Sequence, residues 1–145
     1  LEINRPKIKS PDPRFITHLI AAGKQYYAMD VLLPEISAAR RMGYTEEQYA
    51  WAADNEFYIW RTFLDQKLLF DTNQKLLDRF INPAPFSKFY LEIDNESPGR
   101  IGAYIGLQIV RSYMKNNPEV NLAQLFATDA EVIFEKSRYK PKKNE

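Results

Sequence analysis

TEEQYAWAADNEFYIWRTFLDQKLL, running from Thr45 to Leu69, is the stretch that decides the fold class. Thr45 stands ahead of it as a cap and Gln48 follows three residues later. That is the pattern of a capping box, in which each side chain satisfies the other residue's backbone N–H. Glu46 and Glu47 fall in the first turn, where the helix dipole favours carboxylates. Tyr49, Ala53, Phe57, Trp60, Phe63 and Leu64 then recur at helical spacing as far as about Leu69, which predicts one long amphipathic helix with that stripe turned inward.

Upstream, residues 1–12 (LEINRPKIKSPD) hold two prolines and predict an extended lead-in. A helix is expected from Pro13, with Asp12 as its cap and Ile16, Leu19, Ile20, Gly23, Tyr26, Tyr27 and Val31 inward, until Pro34 ends it. A short helix around Glu35–Met42 follows. Downstream, Gln74–Phe80 reads as a further turn or two with Lys75, Asp78 and Arg79 exposed. Residues 82–99 (NPAPFSKFYLEIDNESPG) form the longest break, with three prolines, and their aromatics Phe86, Phe89 and Tyr90 are expected to pack down. Arg100–Lys115 predicts a helix with Ile101, Ile105, Ile109 or Val110, and Tyr113 inward, stopped by Asn116-Asn117-Pro118. Leu122–Phe126 and Ala130–Phe134 predict two short helices, the second capped by Thr128 or Asp129. The basic tail 136–145 is expected to be loosely held. Period-two alternation is confined to Tyr90–Asp94, so the fold class is mainly α, a single helical domain over 13–135.

Composition narrows the function. A chain of 145 residues with 45% apolar and 27% charged residues is an ordinary one-domain globular sequence. Twenty Lys and Arg against nineteen Asp and Glu leave a net charge of +1, so charge implies neither nucleic acid nor an anionic membrane as partner. The absence of cysteine excludes disulfides, thiolate metal sites, a cysteine nucleophile and an acyl-carrying cysteine within this segment. One histidine, His18, excludes a multi-histidine metal centre; off its helix's main stripe, it reads as a surface or hydrogen-bonded residue. No HExxH and no GxSxG occurs, so no metal and no cofactor is expected. Glu92, Asp94 and Glu96 alternate as calcium ligands do. Ser97 and Ala103 stand where that loop needs its glycine and bidentate glutamate, which leaves a solvated acidic loop. No stretch has membrane-spanning length, no signal segment is present, and the start on Leu1 reads as part of a longer protein.

Two places remain as candidate sites. Glu56 lies at the edge of the long helix's stripe, where a carboxylate needs a partner such as Arg61, Arg100 or Lys24. With no second catalytic group nameable beside it, a structural ion pair is the expected role. The other place is Pro98-Gly99-Arg100-Ile101-Gly102 with Gly106, a loop-to-helix junction. In one reading, Gly102 and Gly106 leave a groove bounded by Ile101, Tyr104 and Ile105, where Arg100 receives an anion or a partner's acidic or C-terminal group. In the other, the two glycines are buried against the Thr45–Leu69 helix and Arg100 pairs with Glu56. Gly99, Arg100, Gly102, Gly106, Lys24 and Glu56 are thus the candidate binding residues. Tyr26, Tyr27, Trp51, Tyr58, Trp60, Phe86 and Tyr104 read as core rather than a stacking platform.

Ordered motifs then suggest a family: Gly23-Lys24-Gln25-Tyr26-Tyr27, Asp30, Leu33-Pro34, Gly43-Tyr44-Thr45-Glu46-Glu47-Gln48, Trp51, Asn55-Glu56 and Ile59-Trp60. They continue through Pro85-Phe86-Ser87-Lys88-Phe89-Tyr90, Ser97-Pro98-Gly99-Arg100-Ile101-Gly102, Gly106, Ile109-Val110 and Ser112-Tyr113-Met114 to Ser137 and Tyr139-Lys140-Pro141. From about Ile16 to Lys142 the chain resembles the C-terminal half of the gliding-motility lipoprotein GldB family of Bacteroidota. The resemblance implies a cell-envelope lipoprotein of the gliding machinery, associated with type IX secretion. Its lipid anchor would lie upstream of Leu1, and its partners would be other gliding-motility envelope proteins. The family is also distantly similar to zinc metallopeptidases of the HExxH-plus-glutamate type. If Gly23 marks the third-ligand position, Ala22 stands where the metal-binding glutamate would be. The resemblance therefore implies a non-catalytic, protein-binding scaffold with a degenerate peptidase-like fold, of which this chain is the helical C-terminal half. The alternatives are an active zinc peptidase whose HExxH lies upstream, and a periplasmic small-ligand binder using the Arg100 junction.

Overall fold

A computed structural model describes residues 13–83 and 97–143. Among them the chain forms α1 (Phe15–Leu32), α2 (Ala38–Arg41), α3 (Glu46–Asp65), α4 (Lys75–Phe80), α5 (Ile101–Asn116), α6 (Leu122–Ala127) and α7 (Ala130–Ser137), with no β-strand. The mainly-α class is as the sequence predicts. Asp12, the packing of Phe86, Phe89 and Tyr90, the alternation at 90–94 and the acidic triplet Glu92, Asp94 and Glu96 lie outside the described residues.

α3 carries the expected capping box: Gln48 N–H donates to Thr45 Oγ1 at 3.1 Å, and Thr45 N–H donates to Gln48 Oε1 at 2.9 Å. Asn121 and Gln124 make a second such box on α6, at 2.8 Å each way. α3 stops at Asp65 instead of reaching Leu69. Lys67 adopts a left-handed φ of 55°, Leu68 N–H returns to the Phe63 carbonyl and Lys67 N–H to that of Leu64, which closes the helix as a Schellman motif. α1 begins at Phe15, after Pro13, with no side-chain cap. Its first donors are taken instead by the loop after α3, Phe15 N–H by Asp71 O and Ile16 N–H by Leu69 O.

The inward face of α3 is turned one residue from the expected one. Ala52, Ile59, Trp60 and Phe63 are buried, whereas Ala53 is exposed and Leu64 is 44% exposed. On the buried face Glu56 sits centrally, between Ala52 and Ile59. A stripe chosen for apolar residues alone pushes it to the edge. On α1 the face predicted to end at Val31 stops earlier, with Val31 49% exposed. Phe15, Phe63 and Phe80 pack ring to ring at 5.1–5.8 Å and join α1, α3 and α4.

α5 is the axis of the molecule. Ile101 through Leu107 are all buried, and so are Ile109, Val110 and Tyr113. Its glycines explain how: a Cβ on Gly106 would lie 1.8 Å from the Leu19 carbonyl oxygen, and one on Gly23 would lie 2.2 Å from the Gly106 carbonyl oxygen. α1 and α5 cross there backbone against backbone. α7 runs on to Ser137, which is fully buried, and Tyr139 packs against Trp60 at 4.9 Å. The chain just after residue 136 is therefore held down, contrary to the expected loose tail.

Candidate functional site

The Arg100 junction is built as a brace. Arg100 precedes α5 in a left-handed conformation, φ 59°, and its Nη1 donates to the Tyr26 hydroxyl at 2.8 Å. The guanidinium lies 5.2 Å from the centre of the Tyr44 ring, while the Tyr44 hydroxyl donates to the Gly99 carbonyl. The glycine face holds no groove. Gly106 is closed by Leu19 and Gly23, Gly102 by Phe80 and Leu19, and the supposed rim residues Ile101, Tyr104 and Ile105 are themselves buried. The glycines meet α1 and α4, not α3, and Arg100 turns to tyrosines rather than to Glu56. Lys24 lies elsewhere: its Nζ donates to the Thr128 carbonyl at 2.8 Å and the Phe126 carbonyl at 3.4 Å, stapling α1 to the end of α6. Burial pulls the Lys24 pKa down, against the opposing pull of Asp129.

Glu56 is a clamp between three segments. The Tyr104 hydroxyl from α5 donates to Oε1 at 3.3 Å, and the Tyr139 hydroxyl from beyond α7 donates to Oε2 at 2.7 Å. Burial raises the carboxyl's pKa, while the two hydroxyls and the charge of Arg111 act the other way. Burial and the neighbouring carboxylate push both phenols well above the usual range, so they stay protonated as donors. Two turns along α5 lies a second, half-buried cluster that the sequence does not reveal. Arg111 grips Asp30 through Nε at 2.8 Å and Nη2 at 3.0 Å, and donates from Nη1 to the Tyr49 hydroxyl at 3.0 Å. Arg41 Nε stands 3.2 Å from the same Asp30. The available signal is an aspartate in the otherwise apolar last turn of α1 and an arginine in a mostly apolar stretch of α5, but spacing cannot pair residues 81 apart. His18, expected to be surface-lying or hydrogen-bonded, is half-buried with Nε2 lacking a hydrogen-bond partner.

Beside this network opens a cleft of about 310 Å³, lined by Glu56, Gln108, Arg111, Ser112, Lys115, Arg138, Tyr139, Lys140 and Pro141. Its outer wall is fixed by a set of side-chain-to-backbone bonds: Ser112 Oγ and Asn116 Nδ2 both donate to the Ser137 carbonyl, at 2.7 and 2.8 Å, and Asn117 Nδ2 donates to that of Lys136. Among the described residues no group of three or more His, Cys, Asp or Glu side chains is placed to hold a metal ion, and no helix is long and apolar enough to cross a membrane.

A family model described as gliding motility protein GldB matches residues 2–141. No curated protein and no solved structure matches the chain.

Proposed function

We propose that this chain, which belongs to the GldB gliding-motility family, serves that machinery as a non-catalytic, protein-binding scaffold of the cell envelope, held at a membrane by a lipid anchor outside this segment. The carrying observation is that the three charged candidates Glu56, Arg100 and Lys24 are engaged in joining segments of the fold. Both Glu56 oxygens accept tyrosine hydroxyls, Arg100 is bonded to Tyr26, and Lys24 holds the end of α6. A general acid or base must reach a substrate proton; Glu56 borders the cleft, but each of its oxygens already accepts a phenol, an arrangement that braces α3 against α5 and Tyr139. Partners are other gliding-motility proteins. A degenerate-peptidase ancestry is part of the same proposal, but its marker, Gly23 after Ala22, is a glycine the α1–α5 crossing already requires. The active-peptidase alternative draws no support from the described residues.

The test is Glu56→Gln in the intact protein, expressed in gliding cells lacking their own copy. Glutamine keeps a side chain able to bond both phenols but has no acid–base function. Normal gliding with near-normal melting is expected. A folded, equally stable protein that leaves cells immotile would overturn the non-catalytic reading. Cross-linking in motile cells should recover the chain joined to other gliding proteins, and recovery of the chain alone would remove the scaffold role.

A further inference from the structure

We propose that the cleft between the C-terminal half of α5 and the segment after α7 binds a phosphate dianion. The inference is independent of the motility reading and concerns a site away from the Arg100 junction.

Charge carries it first. Four cations line the cleft, Arg111, Lys115, Arg138 and Lys140, against one carboxylate, Glu56. Arg111 is already matched by Asp30. Lys115, Arg138 and Lys140 are exposed and make no salt bridge among the described residues. Three unmatched cations against Glu56 leave an excess suited to a doubly charged anion, where a single carboxylate would leave charge uncompensated.

The backbone carries it second. Arg138 takes a left-handed φ of 51°, a conformation glycine adopts at less cost. The bonds from Ser112, Asn116 and Asn117 hold the end of α7 against α5, so the turn that carries Arg138 and Lys140 lines the same cleft as Lys115. The other arginine in this conformation, Arg100, uses its side chain on Tyr26, whereas Arg138 makes no side-chain bond within the described fold. Gln108 adds a donor. Its Nε2 is buried in the wall without a partner, and its terminal torsion is soft, so turning toward an oxyanion gives up no bond.

The phosphate can be free or a lipid headgroup, and the experiment separates the two. Titration of the full chain with inorganic phosphate at constant ionic strength, followed by calorimetry, should show saturable binding, with acetate at the same concentrations giving none. Lys115→Gln should fold unchanged and weaken phosphate binding about tenfold, the loss expected for one charge-assisted hydrogen bond. Arg138→Gly should melt at or above the parent temperature yet lose affinity to a similar degree, an opposition a purely structural arginine would not produce. Co-sedimentation with phosphatidylcholine vesicles containing phosphatidate, against vesicles of matched charge containing phosphatidylglycerol, identifies the source. Preference for phosphatidate marks a headgroup, and phosphate binding without vesicle preference marks a free phosphate. No saturable phosphate binding, equal response to acetate, or undiminished binding by both variants would overturn the proposal.

Discussion

Burial pushes the Glu56 carboxyl above its ordinary value of 4.5, while the hydroxyls of Tyr139 and Tyr104 and the charge of Arg111 pull it back. The folded chain therefore takes up this proton at a higher pH than the unfolded chain does. Between 4.5 and the raised value the folded state binds more protons, so the Glu56 contribution to stability falls as pH rises through that window and is greatest below it. Glu56→Gln should abolish this slope and melt at or above the parent at neutral pH. Glu56→Ala should lose about 2–4 kcal/mol at neutral pH, because it leaves two partly buried hydroxyls without their acceptor. Urea melts of the three proteins across the acid-to-neutral range check both statements. The same slope in parent and glutamine variant would mean that burial does not govern this carboxyl. The ion pair expected from sequence failed for a physical reason. Tyrosine hydroxyls solvate a carboxylate without bringing a second charge into the core, and phenols in a sequence read first as apolar.

At the scale of elements, the α1–α5 crossing decides the packing. Gly106→Ala would place a methyl 1.8 Å from the Leu19 carbonyl oxygen, a backbone atom that cannot turn aside. In an exposed helix the same change is worth about 1 kcal/mol of added stability. Here the helices must move apart, and a loss of about 3 kcal/mol or more is expected from denaturant melts. A variant as stable as the parent would show that the helices do not meet at this residue. The two glycines one turn apart announced a close approach in the sequence, and so did the capping box of α3. What spacing could not announce was the partner, because Gly23 and Gly106 lie far apart in the chain and α3 was an equally good candidate. Spacing leaves Asp30 and Arg111 unpaired for the same reason. The left-handed lysine that closes α3 also stood outside the pattern, since that turn is read from glycine and here uses Lys67.

Across the whole molecule, a nearly all-round apolar α5 can be satisfied only by a shell of amphipathic helices. Among the described residues, helix number and order are legible because each helix carries its own periodicity and stop signals. The closure of that shell is not, because it is made by residues after the last periodic segment. Tyr139 meets Trp60 at 4.9 Å and bonds Glu56, and Ser137 is buried with its carbonyl held by Ser112 and Asn116. A basic, proline-containing stretch gives no such hint, since its charges belong to the exposed positions Lys136, Arg138 and Lys140 and its anchor is one aromatic between them. Removing residues 142–145 should therefore leave the urea midpoint unchanged. Removing 138–145 takes away an aromatic side chain seated against the core and the second donor to Glu56, and should lower stability by about 3–5 kcal/mol. Tyr139→Phe separates the two contributions: it keeps the ring on Trp60, leaves Glu56 Oε2 without its donor, and should lose about 1–2 kcal/mol. If the longer truncation melts like the intact chain, the tail does not close the core, and the order of the three losses, none, small and large, is the pattern that a tail locked by Tyr139 requires.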